Sequence, residues 1–348
     1  MKLSIAIVGL PNVGKSTLFK AITKNEVNIA NYPFCTIDPN IGVVIVPDER
    51  LDKLYEMSKP SSAKASEGQG KKIPAIVEFY DIAGLVKGAN AGEGLGNQFL
   101  SHIRETHAIV QVLRCFPLGD IIHVENSVDP IRDMEIINTE LALKDLETVE
   151  KVLKKTEGEA KTGIKGAQKD FEILKKVKEK LTKSELIIEF KDDPAIAHLQ
   201  LLTAKAQMYL LNGSPVDVPP ALIEKIKSIG ADYIILDLSN PDTAINELIK
   251  KAYTILNLMS FFTTGEDETR AWTIVRGSTA PQAAGVIHTD FEKKFIRAEV
   301  VAWNDLLEAA HSASSGQAWA KARQKGKLRL EGKDYIVRDG DVVEIRHG

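Results

Sequence analysis

The stretch Gly9-Leu-Pro-Asn-Val-Gly-Lys-Ser-Thr17 decides how the rest of the chain is read. It matches G-x-x-x-x-G-K-[ST], and its setting gives the match meaning. An apolar run at 3–8 predicts a strand before it, and 15–23 predicts a helix after it. Glycines let successive backbone N–H groups turn inward onto phosphate oxygens. The N-terminus of the helix adds its positive end. Lys15 supplies charge to the β- and γ-phosphates, and the Ser16 hydroxyl suits Mg²⁺.

Working outward, two further stretches fall in the order such a site requires. Asp81-Ile-Ala-Gly84 ends a strand-like run at 75–80. A carboxylate there fits a Mg²⁺ partner reached through water, and the Gly84 N–H can approach the γ-phosphate. Between the two motifs, Thr36 in Asn31-Tyr-Pro-Phe-Cys-Thr36 is a second hydroxyl for the ion, on a loop ordered by the γ-phosphate. The glycine-rich run 88–96 reads as a switch segment, since glycines permit large backbone changes.

The first third alternates apolar runs, at 3–8, 43–46, 75–80 and 108–113, with helix-like stretches at 15–23 and 97–104. This is the grammar of a mostly parallel α/β sheet. From 134 the chain becomes charged and helix-favouring. Ala142, Leu146, Val149 and Leu153 share one face; Phe171, Leu174, Val177 and Leu181 form another. A break at 158–166 joins them into an antiparallel helical hairpin. Asp193-Pro194 predicts a further helix reaching about 202. Strands resume at 208–211 and 233–237, with a helix at 241–256, so the hairpin is an insertion. Short strands at 272–276, 299–302, 335–337 and 342–346 predict a small C-terminal α+β domain. The expected division is 1–128 with 196–259 for the nucleotide-binding domain, 129–195 for the hairpin, and 260–348 for the last domain.

With 348 residues the chain is long enough for two or three domains. A net charge of −3 gives no global basic field to attract nucleic acid. Two cysteines, Cys35 and Cys115, offer no disulfide framework or metal-ligand spacing, which suits the cytoplasm. The first apolar run is too short and interrupted for a signal peptide or membrane span.

The strand at 208–211 ends on Asn212-Gly-Ser-Pro215, where such a fold reads the base. Guanine readers use Asn-Lys-x-Asp, whose carboxylate accepts from guanine N1–H and N2–H₂. Adenine has an acceptor at N1, which a carboxylate repels. No Asn-Lys-x-Asp occurs in the chain, which disfavours guanine specificity.

Three stretches, GLPNVGKST, NYPFCTIDPNIG and DIAGLVKGANAGEGLGNQFLSHIRET, resemble the YchF subfamily of Obg-related P-loop NTPases. The C-terminal RAWTIVRGSTAPQAAGVIHTDFEKKFIRAEVVAW and RLEGKDYIVRDGDVVEIR resemble that family's TGS domain, a ubiquitin-like β-grasp module. The resemblance implies a P-loop G domain with an inserted coiled-coil hairpin and a C-terminal TGS domain. It implies that Asn12, Val13, Gly14, Lys15, Ser16 and Thr17 bind the triphosphate, that Ser16 and Thr36 hold Mg²⁺, and that Asn12 holds K⁺. Where many GTPases have a water-orienting Gln after the glycine, this chain has Leu85, which cannot hydrogen-bond water. The residue matching the family's hydrolysis-linked histidine is His102.

The family usually carries Asn-x-x-Glu at the base loop and prefers ATP. Here Asn212 remains, Pro215 stands where the Glu would be, and Asp217 lies two positions later. Asn212 is expected to offer its amide to N7 and N6, and Gly213 its backbone to the Watson–Crick edge. The resemblance points to a slow, Mg²⁺-dependent ATPase working as a monomeric cytoplasmic switch. A GTPase or dual-specificity translation factor, and a binding module that hydrolysis merely resets, are the alternatives. The family associates with ribosomes. Lys151, Lys154, Lys155, Lys161, Lys165, Lys175, Lys176, Lys178, Lys180 and Lys183 enrich the hairpin; acidic neighbours make a solvated surface the other reading. Lys321, Arg323 and Lys325 add basic groups near the C-terminus.

Overall fold

A computed structural model describes residues 3–24, 40–58, 70–82, 95–117, 127–241, 244–310 and 315–348. The elements run β1 (Ser4–Val8), α1 (Lys15–Thr23), β2 (Ile41–Ile45), α2 (Glu49–Ser58), β3 (Lys71–Ile73), β4 (Ile76–Asp81), α3 (Leu95–Glu105) and β5 (Ala108–Arg114). Then come α4 (Pro130–Lys161), α5 (Ala167–Thr182), β6 (Ala206–Asn212), α6 (Pro220–Ser228), β7 (Asp232–Leu236) and α7 (Ile245–Ile255). The chain closes with β8 (Leu258–Thr264), β9 (Glu268–Val275), α8 (Ala280–Ile287), α9 (Thr289–Lys293), β10 (Phe295–Ala302), α10 (Trp303–Ala310), α11 (Ser315–Gln324), β11 (Arg329–Glu331) and β12 (Asp341–His347).

There are two compact units. The first comprises the described parts of Met1–Asn25, Thr36–Val43 and Glu78–Leu248. The second comprises those of Glu26–Cys35, Val44–Val77 and Ile249–Gly348. One six-stranded sheet has the order β2-β4-β1-β5-β6-β7. The pairs β4–β1, β1–β5, β5–β6 and β6–β7 are parallel. Strands β1 and β5 are buried along their whole length, which is why their sequences, buried Gln111 and Arg114 of β5 and Ser4 of β1 apart, are apolar and do not alternate. Val8 pairs with Gln111 and Arg114 pairs with Asn212. The carboxyl ends of β1, β5 and β6 therefore open on one edge of the sheet, where α/β folds place their ligands.

The inserted arm is built as its pattern predicts. Pro130 occupies the first turn of α4, and the Asp129 carboxylate accepts the Arg132 N–H at 3.1 Å. Ala142, Val149, Leu174, Val177 and Leu181 are all fully buried in one cluster between α4 and α5. Gly163 and Gly166 take positive φ values of 77° and 90° in the connection, a conformation that favours glycine.

The helix expected after Asp193-Pro194 is absent. Asp193 does start a turn, its carboxylate accepting the Ala195 N–H at 2.9 Å. Only a single 3₁₀ turn, Ala197–Leu199, follows before Gln200 turns left-handed at φ 50°. The reason lies in α4. Buried Asp145 accepts the Leu202 and Thr203 N–H groups at 3.0 and 2.8 Å, and the Thr203 hydroxyl at 2.6 Å. That carboxylate takes donors a helix would have used internally.

The second sheet has the order β11-β10-β12-β8-β9-β3 and is mixed. Strand β12 is parallel to β8 and β3 is parallel to β9, while β10 is antiparallel to both β11 and β12. Phe261, Ala283, Ala284, Ala298 and Val300 belong to its core cluster. The strand expected at 335–337 reduces to one bridge, Ile336 with Thr279. Its neighbours bond the turn before α8: Ala280 N–H reaches Tyr335 O at 2.8 Å, and Val337 N–H reaches Ser278 O at 3.0 Å. Among the described residues, no helix is long and apolar enough to cross a membrane.

Candidate functional site

The loop between β1 and α1 is shaped by close approach. A Cβ at Gly9 would stand 2.8 Å from the Val112 carbonyl oxygen, so the loop can leave β1 only without a side chain there. Asn12 has φ 63° and Gly14 φ 107°, both left-handed. A Cβ on Gly14 would fall 2.5 Å from Asn212 Nδ2. The phosphate loop and the loop after β6 therefore touch at a glycine. Asn212 fastens them: its Nδ2 donates to Val13 O at 2.8 Å and its Oδ1 accepts the Leu238 N–H at 3.1 Å.

These loops enclose a cavity of about 740 Å³. Asn12, Gly14, Lys15, Ser16 and Thr17 line one end of it, while Asn212 and Gly213 line the other. Val13 lies buried behind the loop. Lys15 is buried and its Nζ donates to Leu10 O at 2.8 Å. Burial lowers its pKa to about 8, and the nearby Asp81 carboxylate opposes that shift. Asp81, at the end of β4, is raised by burial, against the Lys15 charge and a hydrogen bond from Ser16. Lysine, hydroxyl and carboxylate are thus gathered from two elements, α1 and β4. His102 is exposed on α3 and does not line the cavity. Thr36, Gly84 and Leu85 lie outside the described residues.

Asn212 is more committed than its sequence position suggests. It is buried, its Oδ1 is already an acceptor for Leu238, and one Nδ2 proton is spent on Val13. One Nδ2 proton and the second lone pair of Oδ1 remain for a ligand. Pro215 opens a 3₁₀ turn, Pro215–Asp217, which Ser214 and Asp217 close as a capping box. Asp217 Oδ2 accepts the Ser214 N–H at 3.2 Å.

Several lining residues escaped the sequence reading. Phe116 and Pro117 follow β5, and Asp237, Leu238 and Ser239 follow β7; Asp217, noted in the sequence two positions past Pro215, joins them. Arg114 is buried, with its guanidinium carbon 4.1 Å from the Phe116 ring centroid and hydrogen bonds to Phe116 O and Pro117 O. An aromatic residue two positions past a parallel strand was the available signal for Phe116. The lining thus combines the Lys15 ammonium with the Phe116 ring and the Asp217 and Asp237 carboxylates.

Two family models match the chain. One, described as 50S ribosome-binding GTPase, covers residues 4–157. The other, YchF-GTPase_C, described as a protein of unknown function, covers residues 258–348. The Ribosome-binding ATPase YchF of Bacillus subtilis (strain 168) is 45% identical over 379 residues, covering 99% of both chains. That of Escherichia coli O157:H7 is 44% identical over 375 residues, again covering 99% of both. The solved Schizosaccharomyces pombe YchF GTPase superposes with a TM-score of 0.81 at 40% identity, covering 99% of this chain and 98% of that one. Identity at this level along the full length, with the P-loop fold in place, shows that the chain belongs to the YchF family of P-loop NTPases.

Proposed function

We propose that the chain is a slow, Mg²⁺-dependent ATPase that acts as a ribosome-associated switch. The observation that carries this reading is a single cavity lined at its phosphate end by Lys15 and Ser16, with Asp81 hydrogen-bonded to Ser16 beside them, and with no carboxylate at the guanine-reading position, which Pro215 fills. The curated relatives bear the name of a ribosome-binding ATPase. Within the proposed division, 1–128 with 196–259 performs hydrolysis. The arm 129–195 and the TGS-like 260–348 meet the partner.

The residues present fit the ion. Ser16 and Asp81 share a hydrogen bond, and a hydroxyl with a carboxylate is an oxygen set suited to a small hard cation. Ser16 and Thr36 would hold Mg²⁺ through their hydroxyls, and Asp81 would reach it through water. Bound there, Mg²⁺ neutralises charge on the β- and γ-oxygens. Lys15 would exchange its bond to Leu10 O for the phosphates, and the loop N–H groups and Gly84 would orient them; His102, outside the cavity lining on α3, would align the attacking water only on reaching the cavity. The Asn12 side chain would hold K⁺.

Ribosome contact falls to the lysines not already neutralised. Lys155, Lys161, Lys175, Lys178, Lys180 and Lys183 each pair with a glutamate. Lys151, Lys165 and Lys176 are exposed and make no ion pair among the described residues. A GTP-using or dual-specificity reading is favoured by two descriptions, the 50S ribosome-binding GTPase model and the S. pombe YchF GTPase.

Phosphate release should be measured with and without Mg²⁺, in K⁺ and in Na⁺, alongside co-sedimentation with ribosomes as salt rises. The expected result is slow Mg²⁺-dependent ATP turnover, faster in K⁺, and ribosome binding that weakens with salt. Absence of Mg²⁺-dependent release contradicts the enzyme. Equal rates in Na⁺ and K⁺ remove the K⁺ site, and failure to co-sediment at low salt removes the ribosome.

A further inference from the structure

The base end of the cavity has an uneven hydrogen-bond inventory. Its backbone donors are consumed inside the chain. Gly213 N–H reaches Leu236 O at 3.3 Å, and Phe116 N–H reaches Asn212 O at 3.1 Å. Ser214 N–H goes to Asp217 Oδ2 and Leu238 N–H to Asn212 Oδ1. Ser239 gives both its N–H, at 2.9 Å, and its hydroxyl, at 2.7 Å, to Asp237 Oδ1. Two acceptors are left over. The second carboxylate oxygens of Asp217 and Asp237 carry no hydrogen bond among the described residues, and both residues line the cavity. The Ser239 bonds hold Asp237 below the usual carboxylate range, so it is ionised at neutral pH.

Position 6 of the purine separates the two bases. Adenine presents an amino group with two donors. Guanine presents O6, an acceptor that needs an N–H. Here the backbone N–H groups of Ser214, Leu238 and Ser239 that could meet O6 are closed off by Asp217, Asn212 and Asp237, and the oxygen would face carboxylates. A polar group left unpaired in a site costs the ligand heavily. Guanine N1–H and N2–H₂ can also donate to a carboxylate, so O6 is what decides.

We infer that Asp217 and Asp237 set the nucleobase preference: each withdraws a backbone donor that guanine O6 would need, and each leaves a carboxylate oxygen for the 6-amino group of adenine. This rests on the reading that the cavity holds a nucleoside triphosphate. The missing Asn-x-x-Glu carboxylate is thereby replaced by two others that come from different loops and are fixed by serines.

The test is calorimetric titration of the full chain, and of its Asp217→Asn and Asp237→Asn variants, with ATP, GTP and ITP. Asparagine keeps one oxygen to accept the serine N–H and turns the other acceptor into a donor. ITP keeps O6 and N1–H and lacks the 2-amino group. The unaltered chain should bind ATP more tightly than either GTP or ITP. Each variant should narrow the ATP-to-ITP ratio about tenfold, the worth of one charge-assisted hydrogen bond. ITP bound by the unaltered chain as tightly as ATP overturns the inference without any variant. So does an unchanged ratio in both variants. A variant that loses GTP affinity more than ATP affinity also overturns it, by placing the carboxylates on guanine N1–H and N2–H₂. If the unaltered chain binds none of the three, the nucleotide reading itself falls, and the inference with it.

Discussion

The two ends of the cavity are built on different principles. The phosphate end is local: five of its lining residues, Asn12 and Gly14–Thr17, are nearly consecutive, and their backbone conformation creates the site. The base end is assembled from the loops after β5, β6 and β7, and hydrogen bonds between distant residues hold it, such as Asn212 to Val13 and to Leu238. A local site is indifferent to the base and sensitive to backbone geometry. An assembled site can change its chemistry one side chain at a time. This difference predicts which substitutions affect ATP and GTP equally and which do not.

The largest effects belong to the base-blind end. Replacing Lys15 with Ala removes the buried ammonium and should weaken ATP and GTP together, by about a hundredfold, as expected for charge-assisted bonds to phosphate. Paired titrations measure this; a loss confined to one nucleotide would break the division between the ends. His102→Ala should lower turnover about a hundredfold if the imidazole aligns water, with affinity unchanged. Single-turnover rates decide it, and an unaltered rate removes His102 from the mechanism. Gly14→Ala tests the seam. Its φ of 107° is strained for any side chain, and the new Cβ meets Asn212 Nδ2. A thermal transition lowered by about 1–2 kcal/mol of stability, with both nucleotides weakened, is the expected result.

The smallest effect is a slope. Burial lowers the Lys15 pKa to about 8, so the ammonium is present below that pH and lost as pH rises through it. Anionic phosphates favour the charged form and raise the pKa in the complex. Between those two values binding takes up a proton, and affinity should fall by up to tenfold per pH unit. The slope should be the same for ATP and GTP. It should disappear in Lys15→Ala.

The same contrast explains what could be read from the sequence. The phosphate loop was legible because left-handed residues, a close approach and a buried cation demand particular residue types at fixed spacing. The arm was legible because Leu174, Val177 and Leu181 repeat at helical intervals and are all buried. Strand β3 was not, since Lys71–Ile73 is three residues long and exists through its pairing with β9. Strand β8 follows α7 with no Gly or Pro between them; Asn257, at φ 57°, makes the break. Asp217 and Asp237 look like turn residues in sequence, and indeed they cap turns. Only the fold reveals that both turns line one cavity with Phe116 and Asn212. Asp193-Pro194 looked like a helix start because the Asp145 carboxylate that draws off the Leu202 and Thr203 N–H groups lies 57 and 58 positions away.

The most direct test of the whole account is the affinity of the unaltered chain for ATP and for GTP, each titrated with Mg²⁺ under identical conditions. In the proposed site both nucleotides engage the same Lys15, Ser16 and loop N–H groups, so their difference would isolate the base end. The account predicts that ATP binds more tightly. A tenfold preference for GTP would contradict it.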